Sequence, residues 1–362
     1  MYIKSIELKN FRNYKEAKMD FHEKVNIFAG KNAQGKTNLL ESIYLSAVGK
    51  SFRTNRDRDL VNFEADFCRV VTEYENGGDG KIEISISKDG NKKARVNGIN
   101  ASKASDFIDN IYVVVFSPED LRIVKDEPEK RREFIDRELS QIKVSYLVNL
   151  YNYKKVLQQR NAYLKEENIE RAFLDVWTEN LIKFGSRIIE DRKSFIDKLG
   201  KISGEVHSGI TAGAEQLTVN YIPNIETEEN TADQIKAMGE VFDESLEEDL
   251  KNRTTTRGPH RDDIDLLVNG INVRKFGSQG QQRTAALALK LAEIELIKED
   301  KGTAPVLLLD DVLSELDPAR QSYLISSLSG VQLFITATDI SDVVRGAFRE
   351  GKVSRISTGN IL

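Results

Sequence analysis

One eight-residue segment, Gly30-Lys31-Asn32-Ala33-Gln34-Gly35-Lys36-Thr37, constrains this chain more than any other feature. Two glycines separated by four residues let the backbone curl until its N–H groups point inward, which suits a phosphate. A strand-like run, Val25-Asn26-Ile27-Phe28-Ala29, leads into the loop, and a helical pattern over residues 38–48 leaves it. That helix adds the positive end of its dipole to the same spot. Strand, loop and helix in this order predict an α/β fold with a parallel sheet and a phosphate at the carboxyl ends of its strands. Lys36 then reaches the β- and γ-phosphates, and the Thr37 hydroxyl binds Mg²⁺. Gly30, Lys31, Asn32, Ala33, Gln34, Gly35, Lys36 and Thr37 are therefore the candidate ATP-binding residues, with Lys36 also catalytic.

A partner motif lies far downstream. Val306-Leu307-Leu308-Leu309 predicts a buried strand, and it ends in Asp310-Asp311. An Asp pair alone reads as surface charge, but four apolar residues before it place it at the edge of a parallel strand. Asp310 is then the candidate Mg²⁺ ligand beside Thr37, and Asp311 the catalytic group that orients the attacking water. Between the two motifs, Ser278-Gln279-Gly280-Gln281-Gln282-Arg283 opens an Ala-rich helix. A serine and a glycine at a helix N-terminus make a second anion site. One nucleotide cannot easily use both helix ends of one chain. Two chains can share it, with Ser278, Gln279 and Gly280 of one chain closing over the phosphate loop of the other.

The segment from Ser278 to Gln282 resembles an ABC signature, and Ser314-Glu315-Leu316-Asp317 resembles a D-loop. Thr336-Ala337-Thr338-Asp339 stands where ABC ATPases commonly carry a switch histidine. With Asn10-Phe11-Arg12-Asn13-Tyr14, Ser117-Pro118-Glu119-Asp120-Leu121 and Gly258-Pro259-His260-Arg261-Asp262-Asp263, these segments are similar to the RecF family, relatives of the chromosome-maintenance ATPases. The resemblance runs along almost the whole chain and is weakest in the helical middle. It implies an ATP-dependent, homodimeric DNA-binding protein that hydrolyses ATP slowly, works with RecR and promotes RecA loading. It also implies a nucleotide contact for Arg12 and DNA phosphate contacts for Lys50, Arg53, Arg56, Lys92 and Lys93, each of which otherwise reads as solvated surface. A further basic run, Lys130-Arg131-Arg132, belongs to the same class. His260 reads as structural or as a hinge. Asp311 is one methylene shorter than the glutamate most ABC ATPases have there. The missing switch histidine leaves Thr336 or Thr338 to meet the γ-phosphate through a hydroxyl.

The remaining sequence fixes the organisation. Ile82, Ile84 and Ile86 alternate with polar residues, and Asn97-Gly98 marks a hairpin. Residues 112–116 form a buried strand. Two apolar stripes follow at spacings of three and four: Leu139, Ile142, Tyr146, Leu150, Tyr153 and Leu157, then Leu174, Trp177, Leu181, Phe184 and Ile188. They predict two antiparallel helices turning at residues 165–168. Residues 223–235 read as a loose loop and 264–273 as a second hairpin. The expected fold is α/β: an ABC-type P-loop head with a mixed sheet and an antiparallel β subdomain, interrupted by a helical, coiled-coil-like arm. The head halves span residues 1–121 and 253–362, and the arm 122–252.

Composition excludes more than it selects. The formal net charge is −5, so any DNA contact must come from a local basic surface. The one cysteine, Cys68, permits no internal disulfide and reads as a small buried residue. No apolar run approaches the roughly 20 residues of a membrane span, and no signal-peptide profile precedes the first strand, so a cytoplasmic protein without membrane contact is expected. A transporter's nucleotide-binding subunit shares these motifs but usually has a shorter helical region. Longer-armed repair ATPases carry a Cys-x-x-Cys hook that this chain lacks. A DNA scaffold with an inactive site is the non-enzymatic alternative.

Overall fold

The computed structural model describes residues 1–328, 330–338 and 351–361, which divide into two compact units. The first joins Met1–Asp120 to Glu293–Leu362, and the second is Leu121–Ala292.

In chain order the first unit begins with β1 (Tyr2–Phe11), β2 (Tyr14–Asp20), β3 (Val25–Ala29) and α1 (Lys36–Val48). Then come β4 (Phe67–Glu75), β5 (Asp79–Ser87), β6 (Lys92–Val96), β7 (Ile99–Ala101) and β8 (Val113–Phe116). The second unit holds α2 (Leu121–Lys125), α3 (Pro128–Ile142), α4 (Val144–Tyr163), α5 (Arg171–Ile210), β9 (Leu217–Ile222), α6 (Thr231–Glu244) and α7 (Leu246–Asn252). It continues through β10 (Asp263–Val268), β11 (Ile271–Asn272) and α8 (Val273–Phe276) into α9 (Gln279–Lys301), which crosses the unit boundary. The first unit resumes with β12 (Val306–Asp310), α10 (Pro318–Ser327), β13 (Leu333–Ala337), β14 (Gly351–Ser357) and β15 (Asn360–Ile361).

Two six-stranded sheets build the first unit. One is antiparallel in the order β2-β1-β4-β5-β6-β7. Its alternation is the predicted one: Ile82, Ile84 and Ile86 are buried and the residues between them are not. Asn97 and Gly98, both at positive φ, close the β6–β7 hairpin as an Asn-Gly turn requires. The other sheet runs β15-β14-β3-β13-β12-β8, parallel except for β15. Strands β3, β8 and the first four residues of β12 are buried throughout, as the near-continuous apolar runs of a parallel sheet require. The side chains of α1 and of both sheets share one core, which includes Leu39, Ile43, Phe28, Phe334, Val70 and the buried Cys68.

In the second unit α4 and α5 pack as the stripes predict, and Trp177 lies against Tyr163 with ring centroids 4.9 Å apart. Three features differ from expectation. The first stripe is carried by two helices, because Lys143 has extended backbone (φ −128, ψ 103) between α3 and α4. Residues 231–235 begin a helix, and Asn230 caps it by accepting from the N–H groups of Ala232 and Asp233 at 3.0 Å. The arm also does not close at residue 252. Residues 253–292 belong to the second unit, since β10 pairs along its length with β9 and with β11 to form a three-stranded antiparallel sheet. Among the described residues no helix is long and apolar enough to cross a membrane.

Candidate functional site

The phosphate loop connects β3 to α1, at the carboxyl edge of the parallel sheet. No side chain caps the N-terminus of α1, and its first turn carries no acid. Its leading N–H groups, those of Lys36, Thr37 and Asn38, therefore face the loop without a side-chain acceptor to compete for them. Lys36 curls back so that its ammonium donates to the carbonyls of Gly30 and Lys31. Burial lowers its pKa, and the carboxylates of Asp311 and Asp310 partly offset that. A lysine held between backbone carbonyls and carboxylates, with burial pressing against its charge, is set to favour an anion.

The two distant motifs meet. The Thr37 hydroxyl donates to Asp310 Oδ1 at 2.9 Å, across 273 residues of sequence. Asp310 is the last residue of β12 and Thr336 belongs to the neighbouring β13; the Thr336 hydroxyl donates to the same oxygen at 2.8 Å. Thr336 also accepts the Asp311 N–H at 2.9 Å. Asp311 sits at φ 56, and Ser314 donates to its carbonyl at 2.7 Å. One threonine thus holds the Asp310 carboxylate and the Asp311 backbone, while Ser314 also reaches the Asp311 carboxylate at 3.2 Å. This differs from the expectation that Thr336 would reach toward a phosphate: it is buried and turned to Asp310. Thr338 is exposed, and Asp339 lies outside the described residues. A hydroxyl and a carboxylate within hydrogen-bond reach form a hard-oxygen donor pair that fits Mg²⁺.

The β1–β2 turn braces the loop. Asn13 donates to the Gln34 carbonyl at 2.9 Å and accepts from Asn38 at 2.8 Å, and Tyr14 donates to the Gly35 carbonyl at 3.0 Å. Asn32 and Ala33 are exposed at the loop's tip, with Ala33 at φ 64. Sequence reasoning singled out Asn13 and Tyr14 as part of a motif but gave them no role. An amide and a phenol two and three residues after a strand were the available signal.

Arg12 does not face the loop. Its guanidinium grips the buried Glu41 of α1 at 2.8 and 2.9 Å and donates to the Asp59 carbonyl at 2.7 Å. Arg53 joins it, donating to Asn38 at 2.8 Å and to Glu41 at 3.3 Å. Lys92 is engaged with Asp57 and the Gly49 carbonyl, both at 2.8 Å. Lys50, Arg56 and Lys93 are exposed.

In the second unit Ser278 and Gln279 are exposed and Gly280 is half-buried. Ser278 accepts the Gln281 N–H at 3.2 Å while its own N–H donates to the Gln281 side chain at 2.9 Å. This reciprocal cap fixes where α9 starts. His260 is structural: one ring nitrogen meets the Tyr153 hydroxyl at 2.8 Å and the other the Thr255 carbonyl at 3.0 Å. Burial pushes its pKa down to about 4. Around it Arg192 reaches Asp136 and Asp262, each at 2.7 Å, together with the Pro259 carbonyl. Arg131, from the basic run, pairs with Asp263.

The sequence profile of the RecF/RecN/SMC N terminal domain family matches residues 2–354. The DNA replication and repair protein RecF of Clostridium acetobutylicum is 44% identical over 363 residues, covering 100% of this chain and 99% of that protein. That of Clostridioides difficile is 45% identical over 345 residues, covering 94% and 92%. Among solved structures, the recombination mediator protein RecF with ATP in the RecFOR pathway superposes with a TM-score of 0.92 at 38% identity, covering 100% of this chain and 97% of that one. An Smc head bound to the C-winged helix domain of ScpA shares the fold at a TM-score of 0.56 and 16% identity, covering 99% and 94%. The phosphate loop, the carboxylate pair on β12 and this full-length likeness together make the chain a member of the RecF family of DNA replication and repair proteins.

Proposed function

We propose that this chain is an ATP-driven DNA-binding switch of recombinational repair, acting in the cytoplasm. The observation that carries the reading is the Thr37–Asp310–Thr336 contact beside Lys36. It unites a phosphate loop and a carboxylate strand into one nucleotide site, and a RecF of the same fold has been solved with ATP.

The backbone of residues 30–37 cradles the β- and γ-phosphates and Lys36 neutralises them. Thr37 and Asp310 hold Mg²⁺, which supplies charge neutralisation on the phosphates. Asp311 orients the water that attacks the γ-phosphorus; Thr336 fixes its backbone N–H and Ser314 bonds its carboxylate. Ser278, Gln279 and Gly280 of a second chain complete the site, and the exposure of Ser278 and Gln279 supports this role. Two chains then close when ATP is bound and part after hydrolysis, because ATP has contacts in the closed state that it lacks in the open one. Arg12 acts on the nucleotide only after leaving Glu41. The basic residues Lys50, Arg53, Arg56, Lys92 and Lys93 supply backbone-directed, salt-sensitive DNA contacts. Partnership with RecR and promotion of RecA loading follow from family membership.

Sedimentation with and without ATP and Mg²⁺ tests the switch. ATP raises the dimer fraction in the wild type, and Ser278→Arg binds ATP yet stays monomeric. DNA binding with ATP, a non-hydrolysable analogue and ADP, each at two salt concentrations, completes the test. An oligomeric state indifferent to ATP overturns the reading.

A further inference from the structure

The phosphate loop has a second brace, in residues outside the motifs described above. The β14–β15 turn is a two-residue hairpin: Ser357 pairs with Asn360, and Thr358 and Gly359 between them sit at φ 47 and 75. The Thr358 N–H donates to the Gln34 side chain at 2.7 Å, and the Gly359 N–H donates to the Gln34 carbonyl at 3.0 Å. Asn13 donates to that same carbonyl. Gln34, in the middle of the loop, is therefore held by both turns at once.

The fit leaves no slack. A Cβ on Gly359 would overlap the Asn13 carbonyl oxygen, so only glycine lets the two turns close. A Cβ on Gly30 would overlap the Ile356 carbonyl oxygen one strand position before the turn. Strand β14 pairs in parallel with β3, from Gly351 beside Val25 to Arg355 beside Ala29, so it delivers the hairpin directly to the loop.

We propose that the turn at Ser357, Thr358, Gly359 and Asn360 is a positioning element for the nucleotide: it latches Gln34 and so presets the loop's N–H groups for phosphate. The residues do not touch the reacting atoms. They act through the loop, and the effect belongs to affinity rather than to the hydrolytic step, whose carboxylates are the last residue of β12 and the one after it. Binding to a loop already in its bound shape avoids the ordering cost that a loose loop would add.

This inference rests on the nucleotide reading of the loop, and the test separates the two. The full-length chain is titrated with a fluorescent ATP analogue and Mg²⁺, and steady-state hydrolysis is measured alongside. Gly359→Ala, which pushes the turn off Asn13, weakens the analogue and raises KM for ATP by about tenfold, with kcat within about twofold of wild type. Asn13→Ala, on the other brace, shifts KM in the same direction by about threefold. Thr358→Gly keeps the N–H and relieves φ 47, so it binds like the wild type. A fall in kcat with KM unchanged points to lost active protein and overturns the latch, as does a loss of affinity in Thr358→Gly. If Gly359→Ala does not fold, wild-type affinity in Asn13→Ala overturns it. A wild-type chain that ignores the analogue overturns the nucleotide reading, and the latch with it. A wild type that binds alongside a Gly359→Ala variant of equal affinity overturns the latch alone.

Discussion

The phosphate loop and the polar centre of the helical unit are both dense in charged and hydrogen-bonding groups, yet they are built on opposite principles. At the loop the groups keep bonding capacity in reserve: the first turn of α1 has no side-chain cap, and Lys36 donates to the backbone carbonyls of Gly30 and Lys31. Around Arg192 the capacity is spent. Its guanidinium is divided among Asp136, Asp262, Tyr146 and the Pro259 carbonyl, and Asp262 also takes a bond from Tyr221 and from the Asn224 N–H. Arg160, with Asp249, Thr255 and Thr178, repeats the pattern. A buried charge cluster that satisfies itself specifies a fold, whereas one that leaves donors facing a cleft specifies a ligand. The comparison argues against catalysis at His260, although it lies among acids and arginines.

That contrast can be broken experimentally. The largest effect belongs to Arg192→Met, which leaves Asp136 and Asp262 buried without their partner. Unfolding by denaturant registers a loss of about 4 kcal/mol. A loss under 1 kcal/mol would mean the cluster is not what organises the unit. Lys36→Ala has the reverse profile: ATP affinity falls about a hundredfold, some 2.7 kcal/mol, with the denaturation midpoint nearly unchanged. If the two variants swap signatures, the distinction between fold centre and ligand site is wrong.

His260 sharpens the comparison through pH. Its folded pKa of about 4 lies below the ordinary value of 6.5 because burial disfavours the charged ring. The unfolded chain takes up the proton first, so the stabilisation is whole above pH 6.5 and is lost as pH falls toward 4. Between pH 7 and pH 5 this amounts to about 2 kcal/mol. Denaturation of His260→Gln at the two pH values should show a slope shallower than the wild type's by that amount, and equal slopes would remove the buried neutral imidazole from the account. The smallest effect falls on the carboxylate pair: Thr336→Val leaves ATP binding intact and lowers kcat about tenfold, since Asp310 and Asp311 lose their shared anchor. An unchanged kcat would assign their placement to β12 alone.

What could be read in the sequence follows the same line. Residues 30–37 and the apolar run before Asp310 were legible because each is contiguous and its chemistry is set by spacing. The α4–α5 seam was legible because the periodicity is local. The break at Lys143 was not: an apolar stripe reports which side of the chain is buried, not whether the backbone ladder continues. The helix after Asn230 carried a signal, a capping asparagine with Asp233 three residues on, that polar composition obscured. Residues 253–292 were assigned to the wrong unit because β10 looks like any amphipathic strand until β9 is found beside it. Arg192, Asp136 and Arg160 left no trace at all, since a charged residue is surface by default until its partners are known. Arg12, expected from the resemblance to contact the nucleotide, holds Glu41 in this structure, a pairing the sequence did not show.

The order of strands in the parallel sheet also says something about how the molecule is made. Strand β3, which carries the phosphate loop, lies between β13 and β14: Val25 stands opposite both Leu333 and Gly351. During synthesis the loop emerges early, but neither neighbour of its strand exists until the helical unit has been translated. Closing contacts so distant in sequence is slow. Both edges of β3 therefore stay without their strand partners until residues 333–337 and 351–355 have been made, so the sheet that carries the loop closes last.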